Sequence, residues 1–538
     1  FCDNTPPGRG EETGMGARPG AAVVTTEPVD TGRRVLLGAN AILALLAAVK
    51  LAAHLAVAGN YGYFRDELYY IAAGRHLAFG YVEFPPLIAL VAALVRGTVG
   101  DSLVALHVVP ALAGTALVVV TGLIARELGG GRFAQGLAAL GTLVATVILA
   151  MGSLFSMDPF DQLWWGLAAY VLVRLIKEER PRLWLLLGLV AGIGLATKIT
   201  IAAFGFALVV GLLLTPARRF LFTRWLWLGG LVALAFVLPY IIWNAANGWP
   251  TIEFWGNYGG KLTESSPVGF LLEQILTMNP MTLPLWLAGL AFFLRAAQGR
   301  PYRALGLAFL ILLVLFALTG AKSYFLAPAY PMLFAGGAVA IERATRRGAM
   351  RSIRVAYPAL LFLSGVLTAP VALPILAPDT WVRYYGFVTG ATAQEQVHEG
   401  GALPQWLGDR FGWEAMVETV AGVYQGLPAE ERARACIFTA NYGEAGAIDF
   451  FGPAHGLPRA ISGHNSYYLW GPGDCTGEVV ISVGYTPADL DALFDDVTQA
   501  ATVTCEDCMP EEANVPILVA RGLRGSMAEI WPQAKHFN

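Results

Sequence analysis

Charge is what this sequence has least of. Asp, Glu, Lys and Arg make up 14% of its 538 residues, where soluble domains carry roughly 25%. Hydrophobic residues make up 56% and the mean hydropathy is +0.56. Long apolar runs recur from residue 35 to 374, more than a water-soluble interior could bury. A net charge of −3 excludes the basic footprint of a nucleic-acid binder. No Walker loop, Rossmann glycine fingerprint or HExxH pair occurs, so nucleotide-loop, dinucleotide and zincin chemistry have no motif to stand on. No internal repeat of fixed period is visible. Cysteine is scarce too. Of five, Cys2 lies in the leading segment, and Cys436, Cys475, Cys505 and Cys508 follow the last apolar run. An oxidising compartment favours two disulfides among these four, with three pairings open. Cys505-x-x-Cys508 lacks a thioredoxin-like setting and reads as structural. Zinc is disfavoured by the absence of a second Cys-x-x-Cys or a spaced His pair.

Residues 1–34 read as a disordered cytoplasmic N-terminus, rich in Gly, Pro and charge over 1–20, with Met15 as a candidate start. No cleavable signal peptide is evident, and the stretch 35–59 is long enough to span a membrane. Spanning helices need about 20 apolar residues, and Lys and Arg collect in cytoplasmic loops. Six basic groups set the topology: Arg33/Arg34, Arg126/Arg132, Arg174/Lys177/Arg180/Arg182, Arg218/Arg219/Arg224, Arg295/Arg300/Arg303 and Arg343/Arg346/Arg347/Arg351/Arg354. All six fall on the cytoplasmic side if the short run 87–95 lies along the outer surface. About eleven spans follow, near 35–58, 103–125, 133–153, 159–176, 183–197, 199–214, 225–245, 270–294, 304–320, 324–342 and 355–374. The fifth and sixth are short and read as a broken hairpin around 196–200, tolerable where it lines a cavity.

The fold expected is an α-helical polytopic membrane protein of about eleven transmembrane helices, followed by a C-terminal extracytoplasmic α/β domain. The division is 1–34, a membrane domain 35–374 with an outer loop 59–102, and a soluble domain 375–538. Strands are expected at Ala435–Thr439, Val479–Val483 and 515–520, with helices at 413–424 and 487–494.

This topology puts the sparse ionisable residues on one side. Charged groups near membrane depth are costly and usually mark function. Arg65-Asp66-Glu67-Leu68-Tyr69-Tyr70 opens the outer loop. Helical neighbours point about 100° apart, so Asp66 and Glu67 cannot both face one substrate atom and one of them has a supporting role. A buried carboxylate raised toward neutrality serves as a general base; the plainer reading is a solvated helix cap paired with Arg65. In Tyr81-Val82-Glu83-Phe84-Pro85-Pro86-Leu87, a rigid Pro turn holds Glu83 as an acceptor contact or tentative divalent-metal ligand, or simply as an acid favoured at a helix start. In Ser156-Met157-Asp158-Pro159-Phe160-Asp161, Asp158 also suits a helix N-terminus, and Asp161 shares its face. Lys198 and Lys322 sit at outer hairpin tips, where a lysine snorkels or binds phosphate as a point charge. In the last domain, Asn441, Tyr442, Glu444, His464 and Asn465 mix amide, acid and aromatic groups suited to a sugar, although Asn and Gly also dominate ordinary turns.

Together these residues resemble the integral-membrane GT-C glycosyltransferases, which include the dolichyl-phosphate-mannose–protein mannosyltransferases and the bacterial aminoarabinose transferases of lipid A. The resemblance covers roughly 35–345. It rests on Arg65-Asp66-Glu67 with Tyr69-Tyr70, the Tyr81…Glu83…Pro85-Pro86-Leu87 turn, Asp158, Gly194-Leu195-Ala196-Thr197-Lys198, and Lys322 before Tyr324-Phe325 and Pro328. In the aminoarabinose enzymes a lysine often follows the turn glutamate; here Phe84 stands there. The resemblance implies an inverting hexosyl- or pentosyltransferase of the cell membrane with a polyprenyl-phosphate-sugar donor. Its acceptor would be a glycan, lipid or protein on the extracytoplasmic side. Asp66, Glu67 and Asp158 would be catalytic. Lys322, Lys198 and Arg65 would meet the donor phosphate. Glu83, Tyr69, Tyr70, Asn441, Tyr442, Glu444, His464 and Asn465 would meet sugar or acceptor. No cofactor is required beyond that tentative metal, no nucleic acid is expected, and a monomer suffices. Competing readings are a transporter or flippase, which favours mid-membrane charge and repeated halves, and a ligand-sensing membrane protein.

Overall fold

The computed structural model describes residues 29–258, 266–346, 348–390, 401 and 403–538. Cys2, Met15 and Arg347 lie outside these, as do residues 1–28 of the segment expected to be disordered. The membrane part begins with α1 (Val29–Leu55), two short outer-loop helices, α2 (Arg65–Arg75) and α3 (Leu87–Thr98), and then α4 (Leu103–Glu127). It continues through α5 (Arg132–Val144), α6 (Thr146–Met151), α7 (Asp158–Glu178), α8 (Leu183–Thr197), α9 (Ile201–Leu213), α10 (Arg224–Ala246) and α11 (Pro250–Tyr258). The last group is α12 (Pro267–Thr277), α13 (Leu283–Arg295), α14 (Arg303–Thr319), α15 (Tyr330–Ala344) and α16 (Ile353–Ala372).

Among the described residues, six helical stretches are long and apolar enough to cross a membrane, or seven with one bent pair counted. Each of the eleven expected segments is helical, but several are interrupted. The segment 133–153 breaks at Ala145 into α5 and α6. The segment 270–294 bends by 94° between α12 and α13. The cause is local: Asn279 has φ +70°, and Pro280 follows, which contributes no N–H. α8 and α9 part at residues 198–200, the break expected there. At 13 residues, α9 is about 20 Å long, short of the ~30 Å hydrocarbon core. Close helix crossings use small residues: Gly188 of α8 and Gly229 of α10 meet backbone to backbone, with no room for a Cβ on Gly188.

The C-terminal part holds α17 (Pro378–Thr389), α18 (Gln405–Gly408), α19 (Trp413–Gly426), α20 (Ala429–Arg432), α21 (Tyr442–Phe451), α22 (Asn465–Trp470), α23 (Pro487–Leu490) and α24 (Met527–Ala534). Its sheet comprises β1 (Ala435–Thr439), β2 (Ala460–Ser462), β3 (Val479–Val483), β4 (Phe494–Thr504) and β5 (Asn514–Leu523), in the order β2-β1-β3-β5-β4. β1 runs parallel to β2 and β3, while β5 is antiparallel to both β3 and β4. The three expected strands are present, and 413–424 is the core of α19. The helix expected over 487–494 is a single turn, 487–490, and Phe494 opens β4 instead. Thr486 and Asp489 cap that turn reciprocally. β4 is the sheet edge, and its exposed polar residues give little apolar alternation to read, as edge strands commonly do. Cys436–Cys475 and Cys505–Cys508 are the disulfides.

The C-terminal domain sits on the outer loop. One apolar cluster joins Leu68, Tyr69, Tyr70, Tyr81 and Phe84 of the loop to Trp413, Val417, Ala445, Ile448 and Tyr467 of the domain. The acidic loop is therefore packed between helices and domain.

Candidate active site

α2 starts after Phe64, whose N–H donates to Glu67 Oε2 at 3.0 Å. Acids in a first turn also offset the helix dipole. Glu67 is fully buried. Its Oε1 accepts from His107 Nε2 at 2.8 Å and from the Phe155 N–H at 2.7 Å. Burial alone would push this carboxyl up; His107, Arg410 and the Phe155 N–H outweigh it and hold it below the ordinary range. His107 bridges Glu67 to Ala58 O, 2.8 Å from its other nitrogen. Arg410 is buried and donates to the O and Oγ of Ser153, both at 3.1 Å. Glu67 thus ties α2 to α4 and to the segment before α7.

Asp66 points elsewhere, as the 100° step requires. It is half-buried and accepts from the Tyr442 hydroxyl at 2.8 Å. Arg65 pairs with Asp409 at 3.5 Å and Glu511 at 3.8 Å, and its guanidinium lies 5.5 Å from the Tyr442 ring centre.

Both lysines approach this face from the membrane helices. Asp158 opens α7 and its Oδ1 lies 2.6 Å from Lys198 Nζ, in the break between α8 and α9. Lys198 lies 5.5 Å from the Tyr324 ring centre and 5.0 Å from that of Phe325. Lys322 is hydrogen-bonded to Tyr258 and lies near Tyr324 and Asp66. Tyr324 is within electrostatic reach of Asp158, Lys322, Tyr258 and Asp66. Asp161, three residues after Asp158, is spent otherwise: it accepts from Trp165 Nε1 at 3.0 Å and Thr200 Oγ1 at 2.7 Å, bracing the break that presents Lys198.

Glu83 joins loop to domain. It accepts from the Tyr69 hydroxyl at 3.1 Å and from Asn465 Nδ2 at 3.0 Å. Burial pushes its carboxyl up to about 8, so it is largely protonated at neutral pH. Both oxygens are engaged, and among the described residues no group of three His, Cys, Asp or Glu could hold a metal ion. Tyr69 also accepts from the Ser466 N–H at 2.9 Å, and its ring stacks 4.5 Å from that of Tyr442. Tyr70 is buried behind it, edge-on to Phe84 at 5.0 Å.

Asn441 and Glu444 have local duties. Asn441 Oδ1 accepts from the N–H groups of Gly443 and Glu444 at 2.8 and 3.0 Å. The Glu444 carboxylate accepts from those of Ala440 and Asn441 at 2.8 and 3.1 Å. Together they cap α21, a reciprocal arrangement, and Asn441 Nδ2 donates to Glu512 at 2.9 Å. The cap sets the start of α21, and so aims Tyr442. His464 Nδ1 accepts from the Tyr442 N–H at 3.4 Å, and its ring lies 4.7 Å from that of His536.

Sequence reasoning named Tyr324 beside Lys322 without giving it a role, and missed His107, Asp409, Arg410, Tyr258 and Glu512. His107 had a usable signal, a lone ionisable residue inside an apolar span. The others meet the site only through tertiary contact. A cavity of about 510 Å³ lined by Gly129, Gln298, Arg343, Ala344 and Arg346 lies elsewhere. It is at the far end of α4, a helix of 25 residues and so about 37 Å long.

Residues 83–243 match the family model of the dolichyl-phosphate-mannose-protein mannosyltransferases. No curated protein sequence matches the chain. Among solved structures, it is similar to ArnT from Cupriavidus metallidurans bound to undecaprenyl phosphate, at 16% identity and TM-score 0.57, covering 88% of this chain and 97% of that one. The apo state of that protein gives 15% identity and TM-score 0.57, covering 89% and 98%. Arabinofuranosyltransferase AftD from Mycobacteria gives 16% identity and TM-score 0.50, covering 90% of this chain and 42% of that longer one. The resemblance in the motifs thus extends to the architecture: residues 83–243 match the mannosyltransferase family model, and the chain shares the fold of these solved membrane glycosyltransferases.

Proposed function

We propose that the chain moves a single sugar from a polyprenyl-phosphate donor to an acceptor hydroxyl on the extracytoplasmic side, with inversion at the anomeric carbon. The observation that carries this reading is the convergence of Asp66, Lys322 and the Asp158–Lys198 pair around Tyr324. A carboxylate base and two cations on one face, beside apolar helices, suit a lipid-borne phosphate leaving group. In the ArnT structure the bound lipid is undecaprenyl phosphate. That chemistry is compatible with these lysines.

In this reading the acceptor hydroxyl attacks the anomeric carbon and its proton passes to Asp66. The bond from that carbon to the phosphate oxygen breaks, and polyprenyl phosphate leaves. Lys322 and Lys198 stabilise the charge that builds on the phosphate. Asp158 orients Lys198. Arg65, already paired with Asp409 and Glu511, is a weaker phosphate ligand than Lys322. Glu67 is a positioning group for α2. Glu83, Tyr69, Tyr70, His464 and Asn465 shape the wall that meets sugar or acceptor, and Asn441 and Glu444 act through the aim of α21. In the same reading residues 35–374 are the membrane catalytic domain and 375–538 the outer domain, with the N-terminus, 1–34, cytoplasmic. Membrane lipids surround the helices, and no second subunit is needed.

The test is release of radiolabelled sugar from a panel of polyprenyl-phosphate sugars by purified protein with native lipids and candidate acceptors. Wild type releases label from one donor. Asp66→Asn loses at least ~100-fold, the lower range of general-base contributions, while still binding that donor. Equal release by both proteins removes Asp66 as the base. No release from any donor by folded wild type overturns the reading in favour of transport or sensing.

A further inference from the structure

The base and the C-terminal domain meet in one contact. The Tyr442 hydroxyl is 2.8 Å from Asp66 Oδ1, across 376 residues of sequence. Several features hold it there. Asn441 and Glu444 cap α21 just ahead of and behind it. Its ring stacks on Tyr69 at 4.5 Å and lies 4.8 Å from that of His464. α21 can lie this close to α2 because Gly443 and Gly446 face it. A Cβ on Gly443 would run into the Arg65 side chain, and one on Gly446 would lie 3.0 Å from the Leu68 carbonyl carbon. Tyr442 is buried, and burial together with Asp66 and Glu83 pushes its phenol well above the ordinary range, against the pull of Arg65. It therefore remains a donor at any working pH.

We propose that Tyr442 is a positioning residue for the transfer reaction: its hydroxyl fixes the rotamer of Asp66, so that the base is aimed at the acceptor only while the C-terminal domain is docked. This rests on Asp66 being the base. Asp66 has other charged and titratable neighbours. Arg65 and Tyr70 are on its own helix, Glu83 is in the loop, and Asp409 is at the end of α18. Lys322 and Tyr324 face it from the turn after α14. Tyr442 is the neighbour with a direct side-chain hydrogen bond to Asp66 among the described contacts. Its removal frees the Asp66 carboxylate to turn away from the acceptor, and a misaimed base loses its catalytic contribution.

The experiment measures kcat and donor KM of sugar release for wild type and Tyr442→Phe, with the number of donor-binding sites counted alongside. The phenylalanine keeps the ring stack on Tyr69 and loses only the hydroxyl. The kcat per donor-binding site is expected to fall about 10-fold or more, the size of a hydrogen bond to a charged group, with donor KM retained. An unchanged kcat per donor-binding site overturns the proposal, as does a loss accounted for by fewer donor-binding sites, which is what a merely structural role gives. A readout independent of turnover is the apparent melting temperature of wild type, Tyr442→Phe, Asp66→Ala and the double variant. The hydroxyl's contribution is expected to disappear once Asp66 is gone; additive losses refute the coupling. If this coupling is present but wild type transfers no sugar, the contact stands as a docking contact, and the catalytic proposal falls with the proposed function.

Discussion

Replacing Glu83 by Gln should remove a pH-dependent weakness from the junction between outer loop and C-terminal domain. Burial moves the Glu83 carboxyl from 4.5 to about 8, so the folded chain holds a proton that the unfolded chain releases. A raised carboxyl costs stability as pH climbs above the unfolded value, and the cost levels off above the folded one. Between pH 6 and 9 these two values imply a loss of ~2–3 kcal/mol. Glu83 keeps some solvent contact, and screening trims that figure. Its two oxygens accept from Tyr69 Oη at 3.1 Å and Asn465 Nδ2 at 3.0 Å. Thermal unfolding of detergent-purified wild type and Glu83→Gln, each from pH 6 to 9, reads the difference. Glu512, raised to about 7, and Asp409, raised to about 6, titrate alike in both proteins and cancel. Wild type should lose roughly 4–12 °C more than the variant over that range, taking about 2–4 °C per kcal/mol. Parallel curves would refute the claim that Glu83 is a buried, neutral link.

Three further outcomes follow from named contacts. Lys322→Ala should weaken donor binding about 10- to 100-fold, the size of a charge-assisted hydrogen bond, measured by equilibrium binding of a fluorescent polyprenyl phosphate; unchanged affinity would remove Lys322 from the phosphate site. Glu67→Ala leaves His107 and the Phe155 N–H without their buried acceptor, and should destabilise the fold by about 3–5 kcal/mol, seen as a large fall in melting temperature. Because the Glu67 carboxyl is held below its ordinary value, its stabilisation is complete above pH ~4.5 and fades as pH falls through the lower folded value, so Glu67→Gln should flatten the acid side of the stability curve. Gly446→Leu drives a side chain into the Leu68 backbone and should cost about 1–3 kcal/mol of overpacking and lower transfer by lifting Tyr442 off Asp66, which paired melting and rate measurements detect.

The helical membrane body was legible because apolar length and basic punctuation are local signals, and all eleven expected segments are helical. The breaks were less so. The α8–α9 break was readable from two short runs around Lys198. The 94° bend between α12 and α13 depends on the positive φ at Asn279 followed by Pro280, which apolar periodicity does not report. In the last domain, β1, β3 and β5 carry the Val and Ile runs of a buried sheet and were found. β4 has its polar side chains outward and was not. The site divides the same way. The Asp66-Glu67 step could be assigned two directions from helix geometry, and the structure gives it two. That Glu67 faces His107, that Arg65 is taken by Asp409 and Glu511, and that Asn441 and Glu444 cap a helix all depend on contacts between segments far apart in sequence.

The most direct test of the donor site is a structure of the protein with a polyprenyl phosphate bound. Its phosphate is predicted within hydrogen-bond reach of Lys322 Nζ, on the face shared with Asp66, with the tail along the apolar helices. A phosphate seated instead at the far end of α4, in the cavity lined by Gln298, Arg343 and Arg346, would contradict it.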